Sequence, residues 1–103
     1  MEQLEYGLPS ATQAREREPV LVGVVGSGNC EVLVEIGRED GRCDVTVKTS
    51  ALGFAPIWEA VLGDFAARCK AGRLKIEIND VGATPAVVSL RLDQAIEAWE
   101  EGN

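Results

Sequence analysis

The alternation of apolar and polar residues predicts three successive β-strands after the first 18 residues. The run Val20–Val25 is β-branched and nearly all apolar, which is typical of a central strand covered on both faces. Apolar residues then alternate with polar ones along Cys30–Ile36, and again along Cys43–Thr49. The turn residues of Gly26–Asn29 and Gly37–Gly41 separate these strands, so the pattern predicts a hairpin that continues into a meander.

The apolar spacing changes to that of a helix at about Phe54. Pro56 suits the first turn, and Gly72 is a natural C-terminal stop. A single apolar stripe runs along this predicted helix: Ile57, Trp58, Val61, Leu62, Phe65 and Cys69. A fourth strand follows at Leu74–Ile78, and Asn79–Gly82 has the composition of a loop.

A second helix is predicted to begin at Thr84 and Pro85, which suit the N-cap and the first helical position. Its apolar face consists of Val88, Leu92, Ala95, Ile96 and Trp99. The predicted order is therefore β-β-β-α-β-α. The simplest closure is an α+β, two-layer sandwich in which two helices cover one face of a mainly antiparallel sheet.

The N-terminal segment differs in composition from the rest of the chain. Residues 1–18 contain few large apolar groups, so we expect a variable, loosely ordered segment or an added edge segment. Leu4 and Tyr6 alternate with Glu5, which allows a short strand there. We expect residues 19–103 to form a single domain, since 103 residues is the length of one domain.

Composition narrows the classes of function. The chain has 10 Lys and Arg against 17 Asp and Glu, a net charge of −7, and no His. A His base and His metal ligation are therefore excluded. Nucleic acid and anionic membranes are unfavourable partners, because binding phosphates requires a surplus of positive charge. No apolar run is long enough to span a bilayer and no signal-peptide pattern is present, so we expect a cytoplasmic protein.

Residues able to carry catalysis are sparse. Cys30, Cys43 and Cys69 form no CxxC pair, which is typical of reduced thiols, and no His is available to activate a thiolate nucleophile. Glu31 and Glu35 share one side of a predicted strand, but exposed strand carboxylates usually form a solvated surface rather than a catalytic pair. We therefore expect no catalytic residue and no metal site in the chain.

The segment Gly26-Ser27-Gly28 is the strongest candidate for a functional site. The glycines of Gly23–Gly28 do not match GxGxxG spacing and a strand follows them, which weakens an interpretation as a nucleotide-binding loop. A serine between two glycines at a hairpin tip is accessible to a modifying enzyme, because glycine allows close backbone approach. The alternative is a simple turn. Asn79–Asp80 with Gly82–Pro85 leaves a similar choice between phosphate or partner binding and turn or capping roles.

Three separated blocks of the chain match one known family in sequence and in order. They are Leu21–Gly28 with Glu31–Leu33; Gly53–Phe54 with Ile57–Trp58 and Ala60–Leu62; and Ile76–Asp80 with Gly82–Pro85, Val88 and Leu90–Leu92. From about Leu21 to Ala98 the chain resembles the acyl carrier (delta) subunit of malonate decarboxylase and, more distantly, the citrate lyase acyl carrier protein. Asn29 departs from this family, in which an acidic residue is expected.

The resemblance implies that Ser27, with Gly26 and Gly28 beside it, is the covalent attachment site of a 2'-(5''-phosphoribosyl)-3'-dephospho-CoA group. The thiol of that group would cycle between acetyl and malonyl thioesters during malonate decarboxylation. The implied partners are the acyltransferase and decarboxylase subunits of malonate decarboxylase and a prosthetic-group transferase. The chain itself would be a non-catalytic carrier. The alternative is a structural or regulatory interaction subunit with no covalent cofactor.

Overall fold

The computed structural model describes residues 1–10, 14, 17–37, 41–69 and 71–101 of the chain. Its elements are β1 (Glu2–Pro9), β2 (Val20–Gly23), β3 (Asn29–Ile36), β4 (Arg42–Thr49), α1 (Ala55–Arg68), β5 (Leu74–Val81) and α2 (Pro85–Glu101). The strands form one five-stranded sheet in the order β1-β4-β5-β3-β2. The pairs β1–β4, β3–β5 and β2–β3 are antiparallel, whereas β4 and β5 are parallel.

The hydrophobic core lies between one face of the sheet and the two helices. Because side chains alternate along a strand, the buried residues of the central strands all point to the same face. These residues include Val32, Val34, Val45, Val47, Ile76 and Ile78. The helices contribute Leu62 and Phe65 from α1 and Leu92 and Trp99 from α2 to the same cluster. The predicted α+β architecture, with two helices and a mainly antiparallel sheet, is confirmed.

The prediction of a central strand at Val20–Val25 is wrong. β2 contains only Val20–Gly23 and lies at the edge of the sheet, paired with β3 alone. Gly23 ends the strand with a φ of 84°, a conformation in which a Cβ would lie 2.1 Å from the backbone oxygen of Cys30. Val24 and Val25 therefore leave the sheet and are exposed on the surface.

The predicted meander is also wrong, because β5 lies between β3 and β4. A parallel pair requires a crossover connection, and α1 provides it between β4 and β5. β5 extends through Val81, so the loop predicted at Asn79–Gly82 is mostly strand. Its polar residues find partners there: the Nδ2 of Asn79 donates to the Oε1 of Glu31 at 3.2 Å, across the β3–β5 pair.

Part of the N-terminal segment is ordered rather than loose. Leu4, Tyr6 and Leu8 pack against the core from β1, which pairs along its whole length with β4. The hydroxyl of Tyr6 donates to the carbonyl of Ala55 at 3.2 Å, and the buried Ser10 hydroxyl contacts the carbonyl of Ala66 at 3.2 Å. The alternation in residues 1–18 thus produces the added edge strand. The division of the chain at residue 19 stays a prediction.

The helix boundaries largely follow the sequence. α1 begins after Phe54, but it ends at Arg68 rather than at Gly72, because Cys69 adopts an extended conformation. α2 begins at Pro85, and the hydroxyl of Thr84 accepts a hydrogen bond from the N–H of Val87 at 3.2 Å, as an N-cap does. Residues 38–40 of the predicted Gly37–Gly41 turn lie outside the described residues. Among the described residues, no helix is both long and apolar enough to cross a membrane.

The two phenylalanines provide a test of where the core lies. Phe65 is 0% exposed, whereas Phe54, at the start of α1, is 46% exposed. We expect Phe65→Ala to lower the free energy of unfolding by about 3–5 kcal/mol, because it removes a fully buried ring and leaves a cavity. Phe54→Ala should cost less than about 1.5 kcal/mol, since much of that ring already contacts water. Urea denaturation measures both, and equal losses would contradict this packing.

Candidate functional site

Ser27 occupies the corner of a tight turn between β2 and β3. The N–H of Asn29 donates to the carbonyl of Gly26 at 2.9 Å, which closes a four-residue turn with Ser27 as its second residue. Gly28, the third residue, has a φ of 72°, a conformation that favours glycine. Ser27 and Gly28 are exposed, and Gly26 is partly exposed. The turn therefore presents the Ser27 side chain on the surface of the molecule.

The turn is held against the sheet and against α2. The N–H of Gly28 donates to the carbonyl of Val81 at 2.7 Å, at the end of β5. The Oδ1 of Asn29 accepts hydrogen bonds from the N–H of Cys30 at 2.8 Å and from the Nε of Arg91 at 3.1 Å. Asn29 is thus a neutral acceptor for Arg91. The acidic residue that the resemblance leads us to expect at this position would accept the same hydrogen bond with a negative charge.

Arg91 is a site residue to which the sequence interpretation gave no role. Its guanidinium donates to the Oδ1 of Asn29, which follows Ser27 by two residues, and also to the Oε1 of Gln94 at 2.8 Å. A positive charge beside the turn favours an anionic group there, because opposite charges attract most strongly at short range. No local signal identifies Arg91, since tertiary packing alone brings α2 to the turn.

The second candidate, Asn79–Asp80 with Gly82–Pro85, adopts a structural role. The buried Asp80 carboxylate accepts from the Thr49 hydroxyl at 2.8 Å and from the N–H groups of Ala83 at 2.9 Å and Gly82 at 3.2 Å. These bonds compensate the cost of burying the charge and fix the approach to α2. Capping and turn formation therefore account for the residue types in this segment.

The remaining acidic candidates do not converge on one site. Glu31 accepts from Asn79, whereas the Oε1 of Glu35 lies 3.6 Å from the Nζ of Lys75. The two carboxylates therefore have separate partners. Within the part of the chain that the structure describes, no group of three or more Cys, Asp or Glu side chains is arranged to hold a metal ion.

The cysteine thiols have little nucleophilic character. Cys30 and Cys43 are buried, and burial raises the pKa of Cys30 to about 11 and the pKa of Cys43 to about 12. Desolvation disfavours the charged thiolate, and the nearby carboxylates of Asp80 and Asp44 raise these two pKa values further. Burial also raises the pKa of the half-buried Cys69, although Arg68 opposes the effect.

Comparison with known proteins relates this geometry to one family. The family model of the malonate decarboxylase delta subunit matches residues 17–99. The malonate decarboxylase acyl carrier protein of Burkholderia cepacia is 57% identical over 95 residues, which cover 92% of this chain and 87% of that protein. The protein of the same name from Acinetobacter calcoaceticus is 49% identical over 100 residues, covering 97% of this chain and 98% of that protein.

A solved structure has the same fold. One chain in the crystal structure of a Pseudomonas malonate decarboxylase hetero-tetramer in complex with malonate superposes with a TM-score of 0.84 at 39% sequence identity. The match covers 96% of this chain and 99% of that chain. The β1 strand and the two-helix layer are therefore part of an architecture shared along nearly the whole length of the two chains.

The two glycines beside Ser27 should differ in their tolerance of a side chain. Gly28→Ala places a Cβ at a φ of 72° and should lower the free energy of unfolding by about 1–2 kcal/mol, because L residues are strained there. Gly26→Ala meets only the Cγ2 of Val24, at 4.0 Å, and should cost less than about 0.5 kcal/mol. Urea denaturation of both variants is the measurement, and equal stability would contradict the turn geometry.

The raised thiol pKa values predict slow alkylation of the native protein. At pH 8 a thiol with a pKa of about 11 is only about 0.1% thiolate, so iodoacetamide should leave Cys30 and Cys43 largely unmodified. Cys69 is more accessible and should react first. Raising the pH toward 11 should accelerate labelling of Cys30. Peptide mass spectrometry measures the order in which the three cysteines are labelled. Labelling of Cys30 in the native protein as fast as in urea would contradict its burial.

Proposed function

The chain belongs to the family of malonate decarboxylase acyl carrier (delta) subunits, and we propose that it carries acyl groups on a prosthetic group attached to Ser27. The proposed group is 2'-(5''-phosphoribosyl)-3'-dephospho-CoA, joined to the serine oxygen through a phosphodiester. The observation that supports this assignment above all others is the exposed position of Ser27 at the corner of the β2–β3 turn.

The residues around Ser27 fit such an attachment. The two neighbouring glycines carry no side chain, which leaves room for the catalytic groups of a transferase on both sides of the serine. The guanidinium of Arg91, held beside the turn by Asn29, would offset the negative charge of a phosphodiester. The hydrogen bond from Gly28 to Val81 fixes the base of the turn, so the serine is presented in one defined place.

The chain's own residues contribute presentation rather than bond chemistry. When attached, the group supplies the thiol that carries acetyl and malonyl units as thioesters. Leu21, Val24 and Val25 lie exposed near the turn and offer an apolar contact to a docking partner. The net charge of −7 favours encounter with basic surfaces of the acyltransferase, decarboxylase and prosthetic-group transferase partners that we propose.

Removal of the Ser27 hydroxyl should abolish attachment. The chain is co-expressed with the prosthetic-group transferase and the enzymes that make its substrate, and its intact mass is measured. We expect a mass increase for the wild type and none for Ser27→Ala, because the phosphodiester requires the serine oxygen. Malonate decarboxylation by a reconstituted complex containing the Ser27→Ala chain should fall to background.

Ser50→Ala is the matched control. Ser50 is also exposed, but it lies after β4 rather than in the turn, so this variant should gain the full mass and retain decarboxylation. Tandem mass spectrometry should locate the added group on Ser27. A wild-type chain that stays unmodified while a known carrier is modified in the same cells would instead support an interaction subunit without a covalent cofactor.

A further inference from the structure

The starts of the two helices enclose a cavity beside the end of β5. Its volume is about 260 Å³, and most of its lining is apolar, including Phe54, Ile57 and Trp58 of the α1 side and Val88 of α2. Phe54 and Ile57 are exposed although they are large apolar residues, so this part of the core has an opening to solvent. A concave, mainly apolar site of this kind is typical of small-molecule binding.

The polar groups of the cavity do not favour a charged ligand. Asp80 contributes to the lining, but it is only 3% exposed and its carboxylate already accepts from Thr49, Gly82 and Ala83. A second carboxylate or a phosphate placed here would lose its hydration and face a negative charge. The lining therefore favours an uncharged ligand over an anionic one.

The cavity and the Ser27 turn share one wall. The carbonyl of Val81 accepts the hydrogen bond from Gly28, and the next residue, Gly82, both bridges to Asn29 and lines the cavity. Bond lengths along the path from the Cα of Ser27 through this 2.7 Å hydrogen bond place the Cα of Gly82 within about 10 Å. A long group attached to Ser27 thus begins at the edge of the cavity.

We propose that this cavity binds the uncharged pantetheine end of the group attached to Ser27, together with a small neutral acyl unit on its thiol. The inference rests on the proposed attachment at Ser27. Covalent tethering keeps the end of a flexible arm near the cavity at an effective concentration of up to about a millimolar, so contacts with Trp58, Ile57 and Val88 that would be weak for a free ligand can still populate the bound state. The carrier would in this way shelter its own cargo between encounters with its partners.

The two tryptophans make the binding observable. Trp58 lines the cavity, whereas Trp99 is fully buried and is not part of the lining. The experiment compares nitrogen-15 spectra of the intact chain before and after attachment, with modification verified by mass. We expect the indole resonance of Trp58 to shift on attachment and that of Trp99 to stay in place. The shift should be independent of protein concentration, since the arm is on the same chain.

Two exposed apolar residues supply a matched pair of variants. Ile57 is 44% exposed at the cavity and Leu90 is 50% exposed outside it, so glutamate at either position should leave the fold intact. Ile57→Glu should cancel the Trp58 shift, whereas Leu90→Glu should retain it. The acetylated Ile57→Glu chain should also lose its acetyl group to water about twofold faster than wild type, as expected when a half-populated, protected bound state disappears.

The outcomes separate this inference from the proposed function. If the mass increase is present but the Trp58 resonance does not move, the cavity does not bind the arm and attachment at Ser27 stands. A Trp58 shift that grows with protein concentration identifies a second copy as the occupant and overturns the inference, as does an equal effect of Leu90→Glu. A wild-type chain that never gains mass overturns both.

Discussion

The rest of the structure depends on the hydrogen bonds that a buried carboxylate accepts at the end of β5. Isolated in the core, the charge of Asp80 would be costly, and three donors from Thr49, Gly82 and Ala83 compensate it. These donors belong to the end of β4 and to the segment entering α2. They therefore fix where the sheet stops and where α2 begins. The adjacent carbonyl of Val81 holds the Ser27 turn, so site and scaffold share one junction.

Features decided by neighbouring residues could be predicted from the sequence. The turn at Ser27 closes through a hydrogen bond between Gly26 and Asn29, only three residues apart, and it contains the residue types that such turns require. The start of α2 is similarly local, because Thr84 caps the helix that Pro85 begins. The alternation along β3 also identified its buried side correctly, since Val32 and Val34 are fully buried.

Features decided by distant contacts could not be predicted. The same apolar run Val20–Val25 suits a buried strand or an edge strand followed by exposed valines, and only the position of Gly23 against Cys30 decides between them. Asn79 is a residue type typical of loops, yet it lies within β5, where it is paired with Glu31 of the distant strand β3. The cavity near Ser27 could not be predicted from the sequence for the same reason, because it forms where the starts of two helices meet.

The burial of Cys30 and Cys43 has a consequence for chemical selectivity. Transfer of a thioester from one sulfur to another requires attack by a thiolate, and these two side chains remain protonated and out of reach at neutral pH. A reactive sulfur at Cys30, three residues from Ser27, would otherwise compete for an acyl group carried on the proposed arm. The burial of Cys30 and Cys43 thus protects an acyl group on the proposed Ser27-linked arm from transfer to these two side chains.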